Sequence, residues 1–98
     1  QLPPEIHAVI YHLVQESLTN SFRHGKATEV RIMLWLADAR LVASIWDNGH
    51  GSPTIHEGLG ITGMRERLAA IRGTLKLEHR PDGFQILAEM PMQKAEDG

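Results

Sequence analysis

The chain of 98 residues contains no cysteine, which excludes a disulfide framework and a thiolate metal site. It has no apolar run near the roughly 18 residues that a membrane-spanning helix requires, and its start, QLPPEIH, lacks a signal-peptide pattern. A formal net charge of -2 is too near neutral to suggest electrostatic capture of nucleic acid or of a membrane surface. We therefore predict a cytoplasmic domain with no nucleic-acid partner and no direct membrane contact. The missing initial Met favours a piece of a longer parent, whose membrane anchorage stays open.

The 42% of hydrophobic residues favours one globular domain over residues 1–98. A first helix is predicted to begin at Glu5, after two prolines, and to end near Gly25. Its apolar residues recur at helical spacing and are expected to pack on a sheet. This stripe consists of Ile6, Val9, Ile10, Leu13, Val14, Leu18 and Phe22.

Beside the stripe lies a polar row in which Glu16, Asn20 and His24 recur every fourth residue, so they share one helix face. The oxygens of Glu16 and Asn20 are the kind of ligand that Mg²⁺ takes together with water and phosphate. On spacing alone, a solvated polar face is the more frequent explanation, because these residue types are common on surfaces.

The remaining pattern predicts strands over residues 29–36 and 41–46, a helix over 61–71 ended by Gly73, and a hairpin of strands 74–79 and 84–90. Val30, Ile32, Leu34 and Leu36 are expected to lie on the buried side of the first strand. Short links between successive strands favour an antiparallel arrangement. We predict an α+β fold, a two-layer α/β sandwich with helices on one face of a mixed, mostly antiparallel sheet.

Two glycine-containing segments suggest a ligand. The first, Asp47-Asn48-Gly49-His50-Gly51, follows a predicted strand, where glycines allow close backbone approach and the carboxylate can accept hydrogen bonds. A tight turn explains the same residues equally well. The second segment opens the later helix, whose free N–H groups favour phosphate, and consists of Gly58, Leu59, Gly60, Ile61, Thr62 and Gly63.

The second segment also has the GxGxxG spacing of dinucleotide-binding oxidoreductases. That pattern should follow directly on a strand, whereas a loop with Pro53 precedes it here. The chain is also too short for a doubly wound domain, and this alternative gives Glu16, Asn20 and Asp47 no role.

Three stretches, LPPEIHAVIYHLVQESLTNSFRHG, DNGHG and GLGITGMRERLAAIRGTLKLE, together resemble the ATP-binding catalytic domain of sensor histidine kinases, in the branch of nitrate-response and thermosensor kinases. The resemblance covers nearly the whole chain and keeps the family's motif order. It implies the Bergerat fold, which gyrase, the ninety-kilodalton heat-shock chaperone and the mismatch-repair ATPases share. An anti-sigma-factor-type serine kinase on that fold is the alternative, against which GMRER argues.

The resemblance implies a role for each motif. Glu16, Asn20 and His24 match the catalytic N box: Asn20 coordinates Mg²⁺, Glu16 orients or polarises the reacting groups, and His24 lies near the phosphates. Asp47 accepts from the exocyclic amine of adenine, while Gly49 and Gly51 let the purine approach the backbone. The backbone of the segment from Gly58 to Gly63 faces the phosphates.

The implied function is to bind Mg-ATP and to donate its γ-phosphate to a histidine on a separate dimerisation domain, from which a response regulator receives it. That phosphoacceptor domain is not expected among these residues. The isolated chain should therefore be a monomer that binds ATP or ADP and does little chemistry. One departure concerns Phe84, which stands where the family commonly has Thr close to adenine, and this argues against a water-mediated contact to the base.

Overall fold

The computed structural model describes residues 2–24, 26–49 and 61–92, apart from the side chain of His24. Helix α1 (Pro4–Thr19) runs into a π-helical turn (Asn20–His24) and is followed by β1 (Val30–Ala37), β2 (Arg40–Asp47), α2 (Ile61–Ala70), β3 (Thr74–Arg80) and β4 (Gly83–Pro91). The strands form one sheet in the order β1-β2-β4-β3, antiparallel at every pairing. The predicted α+β fold with an antiparallel sheet is confirmed.

The core lies between the sheet and the two helices, because α1 packs over β2 and α2 over β3. Alternate residues of the central strands point into this layer. Neither helix within the described ranges is long and apolar enough to cross a bilayer. The buried core residues are Ile6, Val9, Leu13, Leu41, Ala43, Ile45, Ile61, Met64, Leu68, Leu75, Phe84, Ile86, Ala88 and Met90.

Among the described residues, no helix covers the other face of the sheet. Trp35 and Trp46 line a shallow groove of about 510 Å³ there, and the guanidinium of Arg31 lies 5.1 Å from the ring centroid of Trp46. The contact between the Arg31 guanidinium and the Trp46 ring is of the cation–π type.

Strand β1 is an edge strand, and the burial predicted for it is wrong. Ile32, Leu34 and Leu36 are 41%, 48% and 63% exposed although they lie on the helix side of the sheet. The register pairs them with buried β2 residues, so the alternation itself was predicted correctly. They stay exposed because the helices cover β2 and β3 instead of reaching over the edge.

The buried face of α1 changes in character along the helix. Ile6, Val9 and Leu13 belong to the core, and the same period continues to Ser17 and Ser21, which are also buried. Phe22, predicted to lie in the apolar stripe, is 52% exposed. Residues 20–24 form the π-helical turn, whose wider period returns position 21 to the side of positions 13 and 17, so Phe22 points away from the sheet. The helix therefore presents small polar groups to the sheet near its end.

Helix α2 ends as predicted, but the residue that reverses the chain is Arg72, with φ 66°, and not Gly73. The N–H of Gly73 donates to the carbonyl of Leu68 (2.6 Å) and that of Arg72 to Ala69 (3.0 Å), which is the Schellman pattern. A Cβ on Gly73 would lie 2.7 Å from the carbonyl oxygen of Glu89. Glycine is required there for close packing on β4.

Candidate functional site

The carboxylate of Asp47 is buried at the end of β2, with 4% of the residue exposed. Its Oδ2 accepts a hydrogen bond from the hydroxyl of Ser21 (2.6 Å), and its Oδ1 accepts one from the N–H of Gly49 (2.7 Å). Each carboxylate oxygen has two lone pairs, so both retain capacity for a further donor. The result is an acceptor fixed in direction, in the position that the sequence indicated.

The π-helical turn places Ser21, the residue that follows Asn20, beside this carboxylate. The backbone N–H of Asn20 is directed at the carbonyls of both Glu16 and Ser17, where the α-helix widens. π-Helical turns within helices occur frequently at functional sites, because the extra residue re-aims side chains. Asn20 is buried, whereas Glu16 is exposed one turn earlier. His24 ends the turn, and its side chain lies outside the described structure.

Asn48 fixes the end of β2 to the segment that leads into β1. Its Oδ1 accepts hydrogen bonds from the N–H groups of Thr28 (2.9 Å) and Glu29 (3.0 Å), and its Nδ2 donates to the hydroxyl of Thr28 (3.0 Å). The N–H of Ala27 donates to the carbonyl of Ser21 (2.8 Å). These bonds hold the end of α1 and the end of β2 together.

Strand β4 completes the described part of the site. Phe84 pairs with Asp47 in the sheet register, is buried, and contacts the ring of His79 edge-on with centroids 5.0 Å apart. Gly83 adopts φ 153°, and a Cβ there would overlap the carbonyl oxygen of Asp47. Because the Phe84 side chain has no hydrogen-bonding group, this position of β4 offers no hydroxyl next to Asp47.

Helix α2 begins with three of the predicted phosphate-binding residues. Ile61 is fully buried in the core, so only its backbone can serve a ligand. Thr62 is exposed, and Gly63 has open space where a Cβ would stand. Four further predicted residues lie outside the described ranges: Gly51, Gly58, Leu59 and Gly60.

Arg65 lies in the first half of α2. Its Nη1 donates to the carbonyl of Leu75 (2.8 Å), and the residue is half-buried. This bond ties α2 to β3. In the described structure Arg65 therefore has a packing role.

Sequence reasoning missed two residues, Ser17 and Ser21. Both are buried on the sheet-facing side of α1, and the hydroxyl of Ser17 has no hydrogen-bond partner among the described residues. Only their position in the sequence indicates that they are buried, since they follow Ile6, Val9 and Leu13 along the same side of the helix.

Replacing Ser17 by alanine is expected to raise the free energy of unfolding by about 1 kcal/mol, because it removes a buried hydroxyl without a partner and adds helix propensity. For a domain of this size the thermal midpoint should rise by about 4–8 °C. Calorimetry on the two proteins measures the difference. A lower midpoint would show that the hydroxyl is satisfied in solution.

A family model described as histidine kinase-, DNA gyrase B-, and HSP90-like ATPase matches residues 6–94. The chain is 32% identical over 91 residues to the sensor histidine kinase YxjM of Bacillus subtilis, covering 92% of this chain and 22% of that protein. It is 40% identical over 86 residues to the histidine-protein kinase/phosphatase UhpB of Salmonella typhimurium, covering 86% of this chain and 17% of UhpB. The chain thus spans about a fifth of the length of these relatives.

The fold of this chain resembles those of solved protein structures. The histidine kinase domain of a blue-light-activated kinase from Erythrobacter litoralis superposes with a TM-score of 0.77 at 22% identity, over 92% of this chain and 46% of that one. The ATP-binding domain of PrrB from Mycobacterium tuberculosis gives 0.73 at 25% identity, over 89% of this chain and 69% of that one. The match of the family model over residues 6–94 shows that the chain belongs to the family of histidine kinase-, DNA gyrase B- and HSP90-like ATPases.

Proposed function

We propose that the chain binds Mg-ATP between the end of α1, the end of β2 and the start of α2, as the phosphate-donating domain of a two-component sensor histidine kinase. The observation that carries this proposal is the buried Asp47 carboxylate, which accepts hydrogen bonds from Gly49 and from Ser21, the residue that follows the buried Asn20. Relatives that are named sensor histidine kinases support the assignment to signalling.

Asp47 is proposed to read the base. A carboxylate accepts from the exocyclic amine of adenine, whereas guanine carries an oxygen at the same place. Opposing two acceptors leaves both without a partner and costs more than a lost hydrogen bond. Gly49 and Gly51 allow the purine to approach the backbone, and ATP or ADP is preferred over guanine nucleotides.

The donor set on α1 fits Mg²⁺. Asn20 offers an amide oxygen and Glu16 a carboxylate one turn before it, and Mg²⁺ typically takes one or two protein oxygens besides water and phosphate. Asn20 would hold the ion, which, when bound, neutralises charge on the phosphates. Glu16, which is exposed to solvent, orients or polarises the reacting groups. His24 lies near the phosphates.

The remaining contributions are positional, because phosphoryl transfer requires mainly orientation and charge neutralisation. Backbone N–H groups of the segment from Gly58 to Gly63, whose last three residues begin α2, receive the phosphates. The acceptor is a histidine on a dimerisation domain of the full-length protein, which passes the phosphate to a response regulator. The isolated domain acts in the cytoplasm, as a monomer that binds nucleotide.

A thermal-shift experiment tests the proposal. Mg-ATP at a hundred times its dissociation constant should add about 2.7 kcal/mol to the free energy of unfolding, because the ligand binds only the folded chain. The midpoint should rise by about 10–20 °C. ADP should act similarly, and GTP and NAD should not. Equal shifts with GTP would remove the base assignment, and a shift with NAD that needs no Mg²⁺ would favour dinucleotide binding.

A further inference from the structure

We propose that Ser21 is a positioning residue that sets adenine selectivity by holding the Asp47 carboxylate. This inference rests on the nucleotide-binding function proposed above. The hydroxyl of Ser21 donates to Oδ2 of Asp47 at 2.6 Å, and the two residues are 3% and 4% exposed. A separation of this length is that of a charge-assisted O–H···O bond, which is roughly twice as strong as a neutral one.

The two donors to Asp47 differ in what they fix. Gly49 is two residues along the chain, so its bond to Oδ1 orients the carboxylate relative to the end of its own strand. Ser21 is 26 residues away and lies on the helical segment, so its bond fixes the carboxylate relative to α1. Among the described residues these are the donors found on the carboxylate.

Loss of the Ser21 hydroxyl would leave the carboxylate with its local donor. The terminal torsion of an aspartate has a broad energy minimum, so one bond does not fix the plane of the group. The neighbouring β4 residue, Phe84, has no side-chain donor to replace the hydroxyl. The oxygen that meets the adenine amine would then no longer be held in one direction.

Ser21 also connects the two halves of the proposed site, because it directly follows Asn20. The π-helical turn carries Asn20 and Ser21 together. The bond to Asp47 therefore sets the distance between the group that reads the base and the group that would hold the cation. Both bind the same nucleotide, so this distance has to match the length of ATP.

The test compares ATP with purine riboside triphosphate, which differs from ATP by lacking the exocyclic amine, in calorimetric titrations with Mg²⁺. The parent chain should bind ATP about 10- to 100-fold more tightly, the range of one hydrogen bond to a charged group. In Ser21→Ala this preference should fall below about 3-fold through weaker ATP binding, while affinity for the amine-free nucleotide should change by less than about 2-fold.

Two variants complete the design. Ser17→Ala makes the same chemical change one helical turn earlier and should keep the parent preference. Ser21→Thr retains a hydroxyl and should restore it. Should Ser21→Ala fail to fold, Ser21→Cys carries the same test, because a thiol is a weak donor of similar shape.

The outcomes separate this inference from the function on which it rests. Equal weakening of both nucleotides in Ser21→Ala would assign the residue a general structural role and overturn the inference. An unchanged preference would overturn it as well. A parent chain that binds neither nucleotide would refute the proposed function itself, and the inference with it.

Discussion

Replacing Asp47 by asparagine is expected to abolish the thermal shift from both ATP and ADP. The amide has one acceptor oxygen where the carboxylate has two, and three donors compete for it: the Ser21 hydroxyl, the Gly49 N–H and the adenine amine. One donor must then face the amide NH₂ group. Loss of a charged acceptor and this mismatch together predict a dissociation constant raised about 100-fold or more.

The matched control is Asp38→Asn, in the turn between β1 and β2. Asp38 is exposed and adopts φ 53°, a conformation that asparagine accepts as readily as aspartate. The Asp38→Asn substitution removes the same charge as Asp47→Asn. An unchanged affinity of the Asp38 variant for ATP would separate the Asp47 contact from a general effect of net charge. An Asp47 variant that responds fully to ATP would place the base pocket elsewhere.

Replacing Gly83 by alanine is expected to lower the free energy of unfolding by about 3 kcal/mol or more. The alanine would have to adopt φ 153°, which L-residues rarely do, and its Cβ would overlap the Asp47 carbonyl. Strain and overpacking each cost about 1–3 kcal/mol, and the backbone of β2 cannot move without displacing Asp47. Denaturant unfolding measures the loss, which is a large share of the roughly 5–15 kcal/mol typical of a domain.

Gly63→Ala provides the control for that measurement. No atom lies within 4 Å of the place where its Cβ would stand, and Gly63 lies inside α2, where alanine is favoured over glycine by about 1 kcal/mol. We therefore expect this variant to be more stable than the parent chain. If the free energy of unfolding of Gly83→Ala lay within about 1 kcal/mol of the parent value, β4 would be able to move away from β2 at this point without loss of stability.

The sequence predicted the parts of the site that depend on local pattern. Asp47 lies at the end of a strand and Asn20 at the end of a helix, and both positions follow from hydrophobic periodicity and turn residues. The contact that joins the two elements was beyond local pattern, because the Ser21 hydroxyl donates to Asp47, which is 26 residues away in the sequence. Ser17 and Ser21 were overlooked for this reason.

Errors in burial have a related cause. Alternation places Ile32, Leu34 and Leu36 on the correct side of β1, but whether a helix covers that side depends on the strand's place in the sheet. The order β1-β2-β4-β3 inserts the last strand between β2 and β3, a long-range pairing. Gly73 was predicted to end α2, but the left-handed residue there is Arg72, and glycine at position 73 is required for its contact with β4.

Strand β1 determines how the isolated domain behaves in solution. It carries one charged side chain, Arg31, and five consecutive apolar side chains at positions 32–36 that are at least 41% exposed. An unpaired, apolar strand offers its free amide and carbonyl groups to a strand of another molecule, and natural edges commonly oppose this with lysine, proline or a bulge. We therefore expect the isolated domain to self-associate through this edge as its concentration rises, so nucleotide titrations belong at the lowest protein concentration that the signal permits.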